Sequence, residues 1–338
     1  MSSPIEVDTR PPARTSSTPA TARSWRARPR PPKLRSVDKA GFFNSGLLLV
    51  APLLILEVVV FLLPLAYVAY RSFFDWQPAG YSTYVGFENY VTLLQQDEFW
   101  QLVRNQLFYL MAVPVWVVAP LLVAYLLHEH VAFAGLFRTI YLFPSILSPA
   151  IVGLVFRTLL GDNGPVNGGL DAVGLGALSQ AWLTDANWVK PTIMVLMLWA
   201  GLGTGVLVFS AALSSIPGET FEAARLDGAG YLRQLWYVVI PSIRATIVLW
   251  CMFQIIAVFL FMFGWIYVLT SGGPGLASTT IDFAVYQKFM RFGFFGAAAA
   301  EAIVLVLMVV IVALLFVAVP RIARAISPRL RRLNAKEY

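Results

Sequence analysis

Six stretches of the chain are apolar for long enough to cross a lipid bilayer, and this constrains the fold more than any other feature. The hydrocarbon core of a membrane is about 30 Å thick, a distance covered by about 20 helical residues. Runs of that order lie near 46–70, 107–127, 139–156, 191–213, 247–267 and 296–319. A bilayer interior offers no water to backbone N–H and C=O groups, so each run must satisfy its own hydrogen bonds as a helix. Composition agrees. Charged residues make up 13% of the chain and hydrophobic ones 58%, where water-soluble domains carry about 25% charged residues. The expected class is an all-α membrane protein with six transmembrane helices over 41–320. The second run holds Pro114 and Pro120, and the third Pro144 and Pro149. Prolines are tolerated in membrane helices where neighbours satisfy the freed carbonyls.

Orientation follows from the cationic residues. Nine Lys and Arg precede Gly41 and six follow Val319. Arg138, Arg225, Arg233 and Arg244 fall in loops on the same side, whereas Arg71, Arg104, Arg157, Lys190, Lys288 and Arg291 fall on the other. The positive-inside rule therefore places both termini in the cytoplasm of a plasma membrane. Residues 1–40 carry seven prolines and those nine cations with almost no apolar periodicity, a composition that cannot bury enough surface to fold. They are expected to form a basic, disordered cytoplasmic tail ahead of an uncleaved first span, touching anionic lipid through Arg35 and Lys39 rather than nucleic acid. Residues 321–338 form a second basic cytoplasmic tail.

Catalytic chemistry has little to work with here. The single Cys251 excludes an internal disulfide, and two histidines do not supply a Cys/His metal cluster. His128 and His130 flank Glu129 two residues apart, so they do not share a helix face, and they read as a polar turn. No Gly-x-Ser-x-Gly elbow and no Gly-x4-Gly-Lys-Ser/Thr phosphate loop occurs. The chain has no visible means of hydrolysing ATP and is expected to hold no cofactor or metal. Two carboxylates lie within spans. Glu57 reads as a neutral or hydrogen-bonded group, because a proton relay needs several such groups. Glu301 follows the small-residue run Ala297–Ala300, which suits close helix packing, and is expected to reach the interface.

The most informative segment is the loop 215–241. Ile216-Pro217-Gly218-Glu219-Thr220-Phe221-Glu222-Ala223-Ala224-Arg225-Leu226-Asp227-Gly228-Ala229 reads as a short helix. Its first turn is acidic, which suits the helix dipole; its middle is shaved to methyl groups; and Gly228 can close it in a left-handed conformation. Phe221 and Leu226 are expected to hold the segment against the protein. A helix of this kind suits a knob that enters a socket, or equally a loop helix lying on a surface.

These residues resemble a known family. Glu222-Ala223-Ala224, Asp227-Gly228-Ala229 and Ile240-Pro241 are similar to the E-A-A loop of permease subunits in bacterial ATP-binding-cassette importers. Tyr84-Val85-Gly86-Phe87-Glu88-Asn89-Tyr90, Phe137-Arg138-Thr139 with Phe143-Pro144, and Val268-Leu269-Thr270-Ser271-Gly272-Gly273-Pro274-Gly275 resemble segments of the carbohydrate branch. The resemblance covers residues from about Phe42 to Val319. It implies a type I importer in which this chain and a second permease form the pore. Two ATPase subunits bind ATP and Mg at the cytoplasmic face, and an external binding protein delivers the substrate. It further implies that Glu222, Ala223, Ala224, Asp227 and Gly228 form the contact with an ATPase, and that Pro241 passes movement into span five.

Alignment with maltose-type permeases places Ser145, Trp199, Gly201 and Gln254 on the substrate path. A sugar needs amide or hydroxyl partners and an aromatic surface, which Gln254, Ser145 and Trp199 could supply. Met197 stands where the maltose type has an amide, which implies a different sugar. A glycerol-phosphate or glycerophosphodiester cargo would call for Arg or Lys at mid-membrane, and none is placed there. A stand-alone secondary transporter would need more intramembrane ionisable groups than Glu57. The sequence thus leads to a non-enzymatic permease for a di- or oligosaccharide.

Overall fold

The computed structural model of the protein describes residues 49–78, 80–128 and 134–334. The tail 1–40 and the Glu129–His130 turn lie outside the described residues. The chain divides into two units, Met1–Val58 and Val59–Tyr338. In the first, the described residues are helical. They begin the apolar helix α1 (Leu49–Arg71), which is long enough to cross a membrane. A π-helical turn at Val58–Leu62 precedes Pro64, whose ring cannot sit against the carbonyl of the preceding turn in a regular helix.

The second unit continues from α1 into a short antiparallel hairpin, β1 (Phe74–Trp76) and β2 (Ser82–Tyr84), with Phe74 opposite Tyr84. The helices α2 (Glu88–Gln95), α3 (Asp97–Leu110) and α4 (Val113–His128) follow. Together α3 and α4 form a helical run Asp97–His128, which carries span two and extends beyond it. Then come α5 (Ala134–Ile146), α6 (Pro149–Leu159), α7 (Pro165–Ala172), α8 (Val189–Leu213) and α9 (Gly218–Leu226). Next are α10 (Tyr231–Ser242), which contains a π-helical turn at Leu235–Val239, and α11 (Arg244–Leu260). The described chain closes with α12 (Phe263–Leu269), α13 (Ile281–Tyr286) and α14 (Phe295–Asn334).

Span four, α8, is the hub. Val189, Ile193, Val206, Phe209 and Leu213 are buried along its length, and α4, α5 and α11 pack on it. Two glycines set the closeness of these crossings. A Cβ at Gly203 would fall 2.6 Å from Ser145 Oγ and 2.9 Å from Leu142 Cα in α5. One at Gly205 would fall 2.7 Å from the Pro120 ring and 3.0 Å from the Trp250 indole.

Pro120 also shapes the chemistry of the crossing. Lacking an N–H, it leaves the Trp116 carbonyl one turn back without its helical donor. Trp250 Nε1 of α11 donates to that oxygen at 3.2 Å, and Trp116 Nε1 donates to the Met194 carbonyl of α8 at 3.1 Å. Spans two, four and five are thereby tied through two indoles. Replacing Trp250 by Phe keeps most of the packing but strands a buried carbonyl. That loss is expected to cost about 1–3 kcal/mol, read as a lowered midpoint of thermal unfolding in detergent. An unchanged midpoint would remove the indole bond from the account.

The structure corrects two of the expected spans. The third, 139–156, is not one straight helix: Ile140–Ile146 and Pro149–Leu159 meet at an angle of 108°. Ser148, forced extended by the following proline (φ −67°, ψ 148°), caps α6 by accepting from the Ile151 N–H at 3.4 Å. The fifth, 247–267, runs over two helices, because α11 stops at Leu260 and α12 starts at Phe263. Among the described residues, four helices are long and apolar enough to span on their own, and up to six spans result if the bent pairs Ile140–Ile146 with Pro149–Leu159 and Tyr231–Ser242 with Arg244–Leu260 each count as one. Glu301 also departs from expectation. Its side chain is fully buried in α14 and pairs with Lys288 Nζ at 2.8 Å, so it is the partly exposed Lys288, and not Glu301, that meets solvent.

Candidate functional site

Between spans four and five the chain builds a projecting helix on a fixed base. Pro217 is extended (φ −58°, ψ 136°) and breaks the chain off α8, so that α9 starts at Gly218 with Glu219 in its first turn. Phe221 turns inward, is buried, and packs its ring 5.4 Å from that of His128 at the end of α4. Leu226 does not share this anchoring role: it is 90% exposed. Its place on a helix face one turn from Glu222 and Ala223 is the outward one. Glu222, Ala223, Asp227 and Gly228 are exposed, and Ala224 is half-buried. The helix closes at Gly228 (φ +74°), where the Gly228 N–H donates to the Arg225 carbonyl at 3.0 Å and the Ala229 N–H to that of Ala224 at 2.9 Å. A Cβ at Gly228 would meet nothing within 4 Å. The outward face is therefore small, apolar at Leu226, and acidic at both ends.

A second aromatic contact completes the base. Tyr231, at the start of α10, stacks on Tyr125 of α4 with ring centroids 4.2 Å apart, and Tyr125 Oη donates to the Tyr231 carbonyl at 3.3 Å. Gln234 Nε2 donates to the Ala229 carbonyl at 2.8 Å, joining α10 to the closing turn of α9. Tyr125 and His128 are three residues apart and so lie on one face of α4. One edge of span two thus grips both α9 and α10. The resemblance implies a link through Pro241 into span five; this second link, into span two, runs through Tyr125, Tyr231 and the ring of His128, which are not among the residues expected from the sequence. The signal available was the Tyr-x-x-His spacing at the end of an apolar run. Pro241 itself is exposed, and α10 and α11 meet just beyond it at 79°.

The four residues expected on a substrate path sit on three helices. Trp199 is 39% exposed and meets Phe156 edge-to-face at 5.1 Å. Gly201, on the same helix, faces open space. Ser145 lies at the α5–α8 crossing against Gly203, with its buried Oγ lacking a hydrogen-bond partner among the described residues. Gln254 of α11 is half-buried. Trp199 and Gly201 are thus accessible, Gln254 is in part, and Ser145 is enclosed. A cleft of about 930 Å³ lies elsewhere, lined by residues including Glu88, Gln96, Glu98, Thr279 and Lys288.

Next to that cleft, the segment Thr270–Asp282 is held by a polar network that sequence reading missed. Asn105 Nδ2 donates to the carbonyls of Leu276 and Thr279 at 2.8 and 2.9 Å, and its Oδ1 accepts from Lys190 Nζ at 3.0 Å. Gln106 Nε2 donates to the Val258 carbonyl. Asp282 Oδ2 accepts from the Phe263 N–H at 2.7 Å, fixing the start of α12. Burial pushes the Asp282 carboxyl up from 3.8 to about 6, opposed by the Thr280 side chain and by the N–H groups of Phe263 and Phe283. The folded chain therefore holds this proton at a higher pH than the unfolded chain does. Asp282 favours folding below its unfolded pKa, and the advantage is lost as pH rises through the folded one. Two pKa units correspond to about 3 kcal/mol. Relative to Asp282→Asn, the native protein is expected to lose stability by that order between about pH 4 and pH 7, measured as unfolding midpoints of both proteins. A difference that does not change with pH would contradict it.

Comparison with known proteins places this arrangement. Residues 100–332 match the family described as binding-protein-dependent transport system inner membrane component. The chain is 29% identical to the lactose transport system permease protein of Rhizobium radiobacter, over 77% of this chain and 87% of that one. It is 30% identical to the diacetylchitobiose uptake system permease protein of Streptomyces coelicolor, over 81% and 80% respectively. It superposes with a TM-score of 0.71, at 24% identity, on a chain of a bacterial ABC transporter involved in the import of the acidic polysaccharide alginate. That superposition covers 84% of this chain and 96% of the other.

Proposed function

Because the chain belongs to the family of inner membrane components of binding-protein-dependent transport systems, we propose that it is the permease subunit through which an ATP-driven importer passes a di- or oligosaccharide into the cytoplasm. The observation that carries the coupling part is the α9 knob. Its outward face is formed by Glu222, Ala223, Leu226, Asp227 and Gly228, and it is clamped to span two through Phe221–His128 and Tyr125–Tyr231. An ATPase subunit receiving that knob in a cleft would move span two directly and span five through α10. ATP and Mg belong to that subunit, of which two copies are expected, together with a second permease and an external binding protein. This chain supplies the path and no catalytic group. The termini face the cytoplasm in this reading, on the strength of the cation asymmetry.

The sugar assignment is supported by the cargo named for the lactose and diacetylchitobiose relatives. Trp199 offers an exposed aromatic face for sugar C–H surfaces, and Gln254 an amide for hydroxyls. A phosphorylated cargo would want a mid-membrane cation, and none lies beside these residues in sequence. Cells lacking this chain should lose uptake of one oligosaccharide from a labelled panel and regain it from the native gene. Uptake of a glycerol phosphate lost instead, with every sugar unaffected, would overturn the cargo assignment. Gln254→Leu is expected to lower uptake about tenfold, as loss of one hydrogen bond to a polar substrate can. Unchanged rate and selectivity would take Gln254 off the path.

A further inference from the structure

The helix α10 is bent by 79° from α11 across Ile243, and α11 enters the membrane from Arg244. Membrane spans tilt on average about 20° from the bilayer normal. A helix turned that far from a span, and joined to it through a single residue, runs along the membrane surface. Its two faces differ. Gln234, Leu235 and Val239 are buried against the protein. Leu232, Arg233, Trp236 and Tyr237 are exposed, Trp236 by 65% and Tyr237 by 77%. The pairs 232/236 and 233/237 are each one turn apart, so the four residues make one continuous face. Arg244, also exposed, stands where α11 begins.

We propose that this face of α10 is bound to lipid. Leu232, Trp236 and Tyr237 lie at the headgroup boundary, and Arg233 and Arg244 meet the phosphate of an anionic phospholipid. Indole and phenol rings favour that depth, where an apolar body and a polar edge are both satisfied. Cations beside them complement an anionic surface. The occupant is lipid rather than a protein partner because the bend keeps α10 at the level where its own span enters the bilayer. The consequence is mechanical. Since Gln234 ties α10 to the end of α9, and Tyr231 ties it to span two, lipid on the outer face holds the base of the knob at a fixed height. The proposal rests on the chain spanning a membrane and is independent of cargo and of what α9 docks into.

The test uses the transporter purified with its partner subunits, in nanodiscs of phosphatidylethanolamine and phosphatidylglycerol, with Cys251→Ala as background. A bimane label is placed at Tyr237→Cys or at Leu226→Cys, and lipid brominated near the headgroup end of the acyl chain is introduced. Emission at position 237 is expected to fall about twofold, as for an interfacial site, with little change at position 226. Leu232→Cys provides the same readout if the 237 variant fails to assemble. Arg233→Gln should weaken the dependence of transport on phosphatidylglycerol. Bromolipid that leaves 237 and 232 unquenched in the assembled complex would show that protein covers this face, and would overturn the proposal. Equal quenching at 226 and 237 would overturn it as well.

Discussion

Gly228→Asp is expected to abolish ATP-driven uptake while leaving the chain folded and inserted. Two features of the closing turn of α9 separate those outcomes. Gly228 has a φ of +74°, so any L-residue there is strained, by about 1–2 kcal/mol; aspartate and asparagine visit this region more readily than other residues. The space around it within this chain is open, and an added Cβ touches nothing. The chain can therefore absorb the substitution. A docked partner cannot, because the new side chain stands on the face that also presents Ala223 and Leu226 and adds a charge beside Asp227. A central interface position of this kind typically costs 2 kcal/mol or more when disturbed, or about thirtyfold in affinity. Gly228→Asn carries the same backbone strain without the charge and should retain more activity. The check is uptake and ATP hydrolysis in proteoliposomes, with insertion measured in parallel. Normal transport by the aspartate variant would remove the knob from the coupling path.

The second large effect is expected at the centre of the fold. Gly203→Val should sharply lower the yield of folded protein, while Gly201→Ala, two residues earlier, should leave stability unchanged. A Cβ at position 203 enters the backbone of α5 at Leu142 and the Ser145 hydroxyl, and backbone cannot swing aside as a flexible side chain would. Overpacking of this kind costs about 1–3 kcal/mol or more. In a membrane the loss is not recovered by a hydrophobic drive, since helix association there depends on close packing of small residues. Position 201 has nothing within 4 Å, so alanine there adds a methyl group to open space beside Trp199. Thermal unfolding of the detergent-solubilised variants distinguishes the two. A valine variant as stable as the native protein would mean that α5 and α8 are not held at the distance described.

The contrast among these glycines shows what the sequence makes legible. Hydropathy locates the spans, because a bilayer imposes a length and an apolar composition on each helix irrespective of its neighbours. Gly201, Gly203 and Gly205 look alike in the sequence, yet one faces space and two face other helices, a distinction that only packing creates. The bend at Ser148 was visible as Pro149, but a proline in an apolar run announces either a kink tolerated within a span or the start of a new helix. The capping bond from Ile151 selects the second. The α9 helix was legible from its acidic first turn and Gly228. Its anchorage is only half legible: Phe221 turns inward as its apolar character suggests, Leu226 faces outward although equally apolar, and Tyr125 and His128 lie hidden at the end of span two. Ser145 illustrates the same limit. Its chemistry suits a sugar hydroxyl, but in the described fold its oxygen is enclosed against α8.

The chain is expected to conduct and couple while a partner supplies the energy. The most direct measurement is to purify the full chain from gently solubilised membranes and identify by mass spectrometry what accompanies it. A phosphate-loop ATPase and a second permease bearing an E-A-A loop are expected, with the ATPase depleted from the preparation when Gly228→Asp replaces the native chain. A chain that emerges alone, and still transports when reconstituted by itself, would contradict the account.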